Sequence, residues 1–195
     1  EAGPLPTTRA LKIASEIAQS LAEAHDRGLA HRDLKPENVI LVDAAGHPDF
    51  VKVLDFGIAK FLTGSSGESS VTRTGAVVGT PHYMAPEQAA APKGLTTAVD
   101  VYALGVMLYE MLSGSLPFQG ETPVEVLMAH VTGPVPTLPD AVHVPQALRD
   151  LLARMLAKDP AERPPTLDLI GALDDLRAGL AGHAAGAPVV SAAEG

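Results

Sequence analysis

Four polar residues in one short stretch have side chains suited to chemistry: Asp33, Lys35, Asn38 and Asp55. An aspartate can accept or orient the proton of an attacking hydroxyl, a role worth about 10²–10⁴-fold where it operates. Asn38 and Asp55 offer the hard oxygen ligands that Mg²⁺ requires. Lys35, two residues past Asp33 in an extended segment, can set its ammonium against a phosphate. Each residue also has a plainer use: Asp33 as a helix or turn cap, Asn38 as a turn residue, Asp55 as the end of a strand, Lys35 as a solvated charge. The combination, rather than any one member, carries the chemical reading. His25, His82 and His130 lack metal-ligand spacing and read as surface or core residues.

These residues need elements to hold them. Leu11, Ala14, Ile17, Ala18 and Leu21 recur at helical spacing, which predicts a helix over residues 8–27, with Gly28 as its stop. Val39 to Val42 and Phe50 to Leu54 are short, branched and apolar, with a turn composition from Asp43 to Asp49 between them. This predicts a β-hairpin. A hairpin sets strand ends side by side, so Asn38 and Asp55 can share one metal. Residues 63–75, rich in Gly, Ser and Thr, read as a mobile loop. After Thr97 comes an apolar helix bearing Val101, Leu104, Leu108, Met111 and Leu112, closed by Gly114. Its lack of charge predicts burial at the centre. Further helices are expected near 122–132, 145–157 and 166–180. In the second of these Leu148, Leu151, Leu152 and Met155 form one stripe, with Asp159-Pro160 as its stop. Residues 1–180 then form one domain, and Ala181 to Gly195, mostly Ala, Gly, Pro, Val and Ser, a flexible linker or tail.

The segment His31-Arg32-Asp33-Leu34-Lys35-Pro36-Glu37-Asn38 resembles the catalytic loop of protein kinases. Asp55-Phe56-Gly57 and Ala85-Pro86-Glu87 follow in that family's order. The resemblance covers roughly residues 5–180. It implies an α+β, mostly helical fold like the C-terminal lobe of a kinase with its small hairpin. It also implies transfer of the ATP γ-phosphate to Ser or Thr hydroxyls of protein substrates, with ATP and Mg²⁺ as cofactors. Asp33, Lys35 and Thr80 take the catalytic roles, Thr80 bridging Asp33 and Lys35. Lys35, Glu37, Asn38, Ile40 and Asp55 line the nucleotide, with Ile40 beneath the adenine and Asn38 and Asp55 on the metal. Lys35 within its loop, and Gly79-Thr80-Pro81, are of serine/threonine rather than tyrosine type. Gln88 after Ala85-Pro86-Glu87, and the paired Thr72 and Thr74, resemble the bacterial branch. Thr72 and Thr74 stand where relatives carry activating phosphates, with Arg32 and Lys60 as the cations to receive them. Glu87 resembles an acid that pairs with a late arginine, here Arg163. Asp100 resembles an aspartate bonding the catalytic-loop backbone. His31 and Phe56 correspond to members of an internal packed column.

Such kinases also use a glycine-rich loop and a strand lysine ahead of the catalytic loop. This sequence contains no Gly-x-Gly-x-x-Gly and has only about thirty residues before His31. The expectation is a domain truncated at its N-terminal side, lacking the N-terminal β-lobe. That lobe would be a partner for an exposed apolar surface, and an isolated fragment would be inactive. The alternative is a non-catalytic kinase-like binding module. A dimer for trans-autophosphorylation is a further expected partnership. A net charge of −9 argues against a nucleic-acid footprint. The absence of cysteine excludes disulfides, and no apolar run is long enough to span a bilayer. A cytoplasmic location is the expectation, either free or as the cytoplasmic part of a membrane-anchored kinase.

Overall fold

The structure, a computed structural model, describes residues 3–44, 46–54, 81–90 and 94–185. The first helix, α1, runs Thr7–His25 and buries the expected stripe of Leu11, Ala14, Ile17, Ala18 and Leu21. It closes as a Schellman motif. Leu29 N–H bonds the Ala24 carbonyl at 2.9 Å and Gly28 N–H bonds that of His25 at 2.9 Å. Gly28 has φ +71°, a conformation open to glycine at little cost. This turn delivers the chain to His31.

The hairpin is present. Strands β1 (Val39–Ala44) and β2 (His47–Val53) pair antiparallel, with Val39 opposite Val53, Leu41 opposite Val51 and Val42 opposite Phe50. The strands reach further into the Asp43–Asp49 segment than its turn composition predicts. A register irregularity between Val42 and Ala44 absorbs the extra residue. One stripe of α1 holds β2 from the side. Arg9 makes a two-pronged bond to the Asp49 carboxylate at 2.8 and 2.6 Å. Lys12 bonds the carbonyls of Pro48 and Asp49. The Glu16 carboxylate takes the outward Val51 N–H at 2.9 Å. These contacts occupy part of an edge that would otherwise present free backbone groups.

A short helix, α2 (Pro86–Ala90), follows a 3₁₀ turn at Pro81–Tyr83. The central helix, α3 (Ala98–Ser113), is buried on every face, as its apolar sequence predicts, and Gly114 ends it. Helices α4 (Pro123–Thr132), α5 (Gln146–Met155) and α6 (Thr166–Ala185) complete the described chain. Helices α1 and α5 pack on α3, and α6 packs along α1. Gly105 lets α3 lie close against α5: a Cβ there would lie 2.9 Å from that of Met155.

Two boundaries differ from expectation. Helix α5 ends at Met155, ahead of Asp159, which instead caps a 3₁₀ turn by accepting Ala161 N–H at 2.9 Å. Helix α6 continues to Ala185, because the Ala-rich run after Leu180 contains good helix formers and no proline. Among the described residues no helix is long and apolar enough to cross a membrane.

His130, near the end of α4, is wholly buried and belongs to the core. Its Nδ1 meets the Tyr102 hydroxyl at 2.9 Å, and its ring lies 4.5 Å from that of Phe118. Lys158 donates to the His130 carbonyl at 2.6 Å and sits 4.2 Å over the Phe118 ring. Burial, and then the Lys158 charge, push the imidazole down to about 4. The unfolded chain therefore binds a proton that the folded chain refuses. The contribution of His130 is complete above pH 6.5 and is lost as the pH falls toward 4. Folding free energy should drop by about 2 kcal/mol between about pH 7 and about pH 5 on this account. His130→Gln should flatten that slope in urea melts. An equally steep slope in the variant would refute the assignment.

Candidate active site

Three helices build the loop that carries Asp33. Asp100, in the first turn of α3 and almost wholly buried, uses both carboxylate oxygens. Oδ2 accepts His31 N–H at 2.7 Å and Oδ1 accepts Arg32 N–H at 2.8 Å. Oδ2 also meets His25 Nε2 at 2.8 Å, while His25 Nδ1 meets the Thr166 hydroxyl at 2.8 Å. His25 thus ties the loop's anchor to both α1 and α6. The sequence does not flag it, since it falls within an ordinary helix end without ligand spacing.

His31 is buried and does more than fill space. Its Nε2–H donates to the Leu54 carbonyl at 2.8 Å, and its Nδ1 accepts Asp33 N–H at 3.3 Å, so the two bonds define one tautomer. The ring fastens the loop to the end of β2. The other end of the loop is fastened as well. Leu54 N–H bonds the Asn38 carbonyl at 2.8 Å, and Asn38 closes a 3₁₀ turn from Pro36.

Within this frame Asp33, Lys35 and Asn38 come together. The Asp33 carboxylate is exposed and lies 3.1 Å from Lys35 Nζ. Asn38 Nδ2 donates to the Asp33 carbonyl at 2.7 Å and lies 3.4 Å from its carboxylate. That leaves the Asn38 amide oxygen without a hydrogen-bond partner among the described residues, as suits a hard metal ligand. Leu34, between Asp33 and Lys35, is buried and roots the loop in the core. Arg32 is exposed beside them, with φ +64°. Glu37 is exposed on the 3₁₀ turn. Ile40 and Phe50 are exposed on the hairpin, and Leu54 is exposed just past its end. Asp55, Phe56, Lys60, Thr72, Thr74 and Thr80 lie outside the described residues. No cluster of three or more His, Cys, Asp or Glu side chains suited to a metal occurs among the described residues.

The segment 81–90 is anchored next to this loop. The Tyr83 hydroxyl donates to Glu110 at 2.7 Å; burial and that carboxylate hold the phenol well above its ordinary value. Glu87 pairs with Arg163, as expected, through Nη1 at 2.6 Å and Nη2 at 2.8 Å.

This fold, with this loop, is that of a kinase: residues 1–172 match the family model described as Protein kinase domain, and the chain belongs to that family. Over 169 residues it is 43% identical to the serine/threonine-protein kinase pkn3 of Myxococcus xanthus, covering 85% of this chain and 30% of that protein. It is 39% identical to the serine/threonine-protein kinase PrkC of Bacillus subtilis, covering 85% of this chain and 24% of that protein. Over 194 residues it is 41% identical to the serine/threonine-protein kinase PkaA of Streptomyces coelicolor, covering 98% of this chain and 34% of that protein. The chain thus spans about a third or less of these relatives.

Proposed function

We propose that this chain forms the larger, helical lobe of a serine/threonine protein kinase domain that moves the γ-phosphate of ATP onto Ser and Thr hydroxyls of proteins. The observation that carries this reading is the close grouping of Asp33, Lys35 and Asn38 on a loop pinned to α3 by Asp100. Asp33 is exposed, so a substrate hydroxyl can reach it and hand over or orient its proton. Lys35 holds a positive charge beside that carboxylate, where it can meet the moving phosphate. Asn38 offers its amide oxygen to Mg²⁺, which when bound neutralises phosphate charge, and Asp55 is assigned as the second ligand. The exposed apolar side chains of Ile40, Phe50 and Leu54 suit a nucleotide and a second, β-rich lobe above the hairpin.

Radiolabelled ATP, the full-length gene product and phosphoamino-acid analysis test the assignment. Label on phosphoserine and phosphothreonine is the expected result; label on phosphotyrosine alone, or none, would refute it. The same product tests regulation. Thr72 and Thr74 are proposed phosphosites that order the segment through Arg32 and Lys60. Mass spectrometry should find phosphate on one of them, and the Thr72→Ala, Thr74→Ala double variant should lose most activity. A double variant as fast as the parent would remove that role.

A further inference from the structure

The residue before Asp33 adopts a backbone conformation that L-amino acids rarely take, and something must hold it there. Arg32 has φ +64°. Its N–H is fixed by Asp100 at 2.8 Å. Its carbonyl is fixed by a different element: Gln88 Nε2, on α2, donates to it at 3.0 Å. The other end of the same carboxamide, Oε1, accepts Ala85 N–H at 2.9 Å. An amide nitrogen must donate and an amide oxygen accept, so this pair of partners allows only one orientation of the Gln88 side chain.

From this geometry we infer that Gln88 is a positioning residue for Asp33, linking the segment 81–90 to the orientation of the Arg32–Asp33 peptide. The inference rests on the phosphotransfer role proposed above. The peptide plane just ahead of Asp33 is held on two sides, its carbonyl by Gln88 and its N–H by His31 Nδ1 at 3.3 Å. Turning that plane swings the Asp33 side chain, and an exposed carboxylate has little packing to resist the turn. Gln88 is also adjacent to Glu87, whose bonds to Arg163 fix α2 against the helical core. Among the described residues, the carbonyl of Arg32 therefore finds its donor when the segment 81–90 is seated. The bond makes seating of that segment a condition for the Asp33 geometry.

Gln88→Glu separates the two bonds. A carboxylate still accepts Ala85 N–H but presents an acceptor to the Arg32 carbonyl. Gln88→Met keeps the length and removes both bonds. In the full-length gene product both variants should lower kcat by about tenfold to hundredfold, the cost of a misplaced catalytic group. The KM for ATP should stay within about twofold and Tm within about 2 °C of the parent, since the group lost is neither a nucleotide contact nor core. Amide hydrogen exchange in the peptide spanning residues 29–38 should quicken. An unchanged kcat, or a loss that only tracks a fallen Tm, overturns the inference. If the parent transfers no phosphate, the kinase reading fails on its own, and hydrogen exchange then decides. Faster exchange in Gln88→Glu, absent from a Glu121→Gln surface control, sustains the link; equal exchange overturns it.

Discussion

Asp33→Asn should lower the phosphotransfer rate of the full-length gene product by about 10²–10⁴-fold while leaving its fold in place. The side chain of Asp33 is about half exposed and bonds no core group among the described residues, so its loss removes little packing. The loop is held instead by groups that the substitution spares. Asp100 grips the N–H groups of His31 and Arg32, and Asn38 grips the Asp33 backbone carbonyl. What changes is the chemistry of one group. An amide cannot take the proton of an attacking hydroxyl, and its NH₂ end has no affinity for Lys35, 3.1 Å from the carboxylate it replaces. The loss should therefore fall on kcat, with the KM for ATP little moved, because Asn38 and the hairpin are untouched. Steady-state kinetics with a thermal melt of each protein checks both halves. A variant that keeps its rate would remove Asp33 from the chemistry. A variant that loses its rate only by unfolding would leave that role unsupported and contradict the expectation of a preserved fold.

How much of this was legible in the sequence depends on how local each signal is. The buried stripe of α1, its Gly28 closure, the hairpin and the apolar α3 follow from periodicity and turn chemistry, and all are present. Short-range rules sufficed because each element's buried face is written in its own residues. The proximity of Asp33, Lys35 and Asn38 was also legible, since all three sit within one loop. The supporting shell was less so. Asp100 and the Glu87–Arg163 pair came from family resemblance, because no rule of spacing joins residues so far apart in the chain. His25 and the clamp of Arg9, Lys12 and Glu16 on β2 gave no signal, and Gln88 stood out only as a mark of the bacterial branch, not for its bond to the Arg32 carbonyl. Each is an ordinary polar residue on a helix, and only the packing of one helix against another element reveals its partner. The helix α2 was missed for a different reason: five residues are too few to display a period.

The ion pair below α2 should show the largest effect on stability. Arg163 carries its guanidinium into the interior, where the side chain has no exposed area, while Glu87 keeps 19%. Beyond its two bonds to Glu87, Arg163 donates to the carbonyls of Ala157 and Ala98 at 2.9 Å and of Lys158 at 3.1 Å, and stacks 4.8 Å over the Tyr102 ring. Removing one member of a buried pair typically costs about 3–5 kcal/mol, mostly because the other charge stays buried without a counter-ion. Glu87→Ala leaves Arg163 with three carbonyl acceptors, which places its cost near the lower end, about 3 kcal/mol. For a chain of this size that corresponds to a fall in Tm of about 6–12 °C. Glu87→Gln keeps the shape and one acceptor oxygen, and should fall between the parent and Glu87→Ala. Exposed Glu121 supplies the control, since truncating a surface glutamate should change stability by no more than about 0.5 kcal/mol. Calorimetry on the three Glu87 and Glu121 variants beside the parent decides it. A Glu87→Ala protein that melts with the Glu121→Ala control would mean that the carbonyl cage and the Tyr102 ring alone suffice to bury the Arg163 charge.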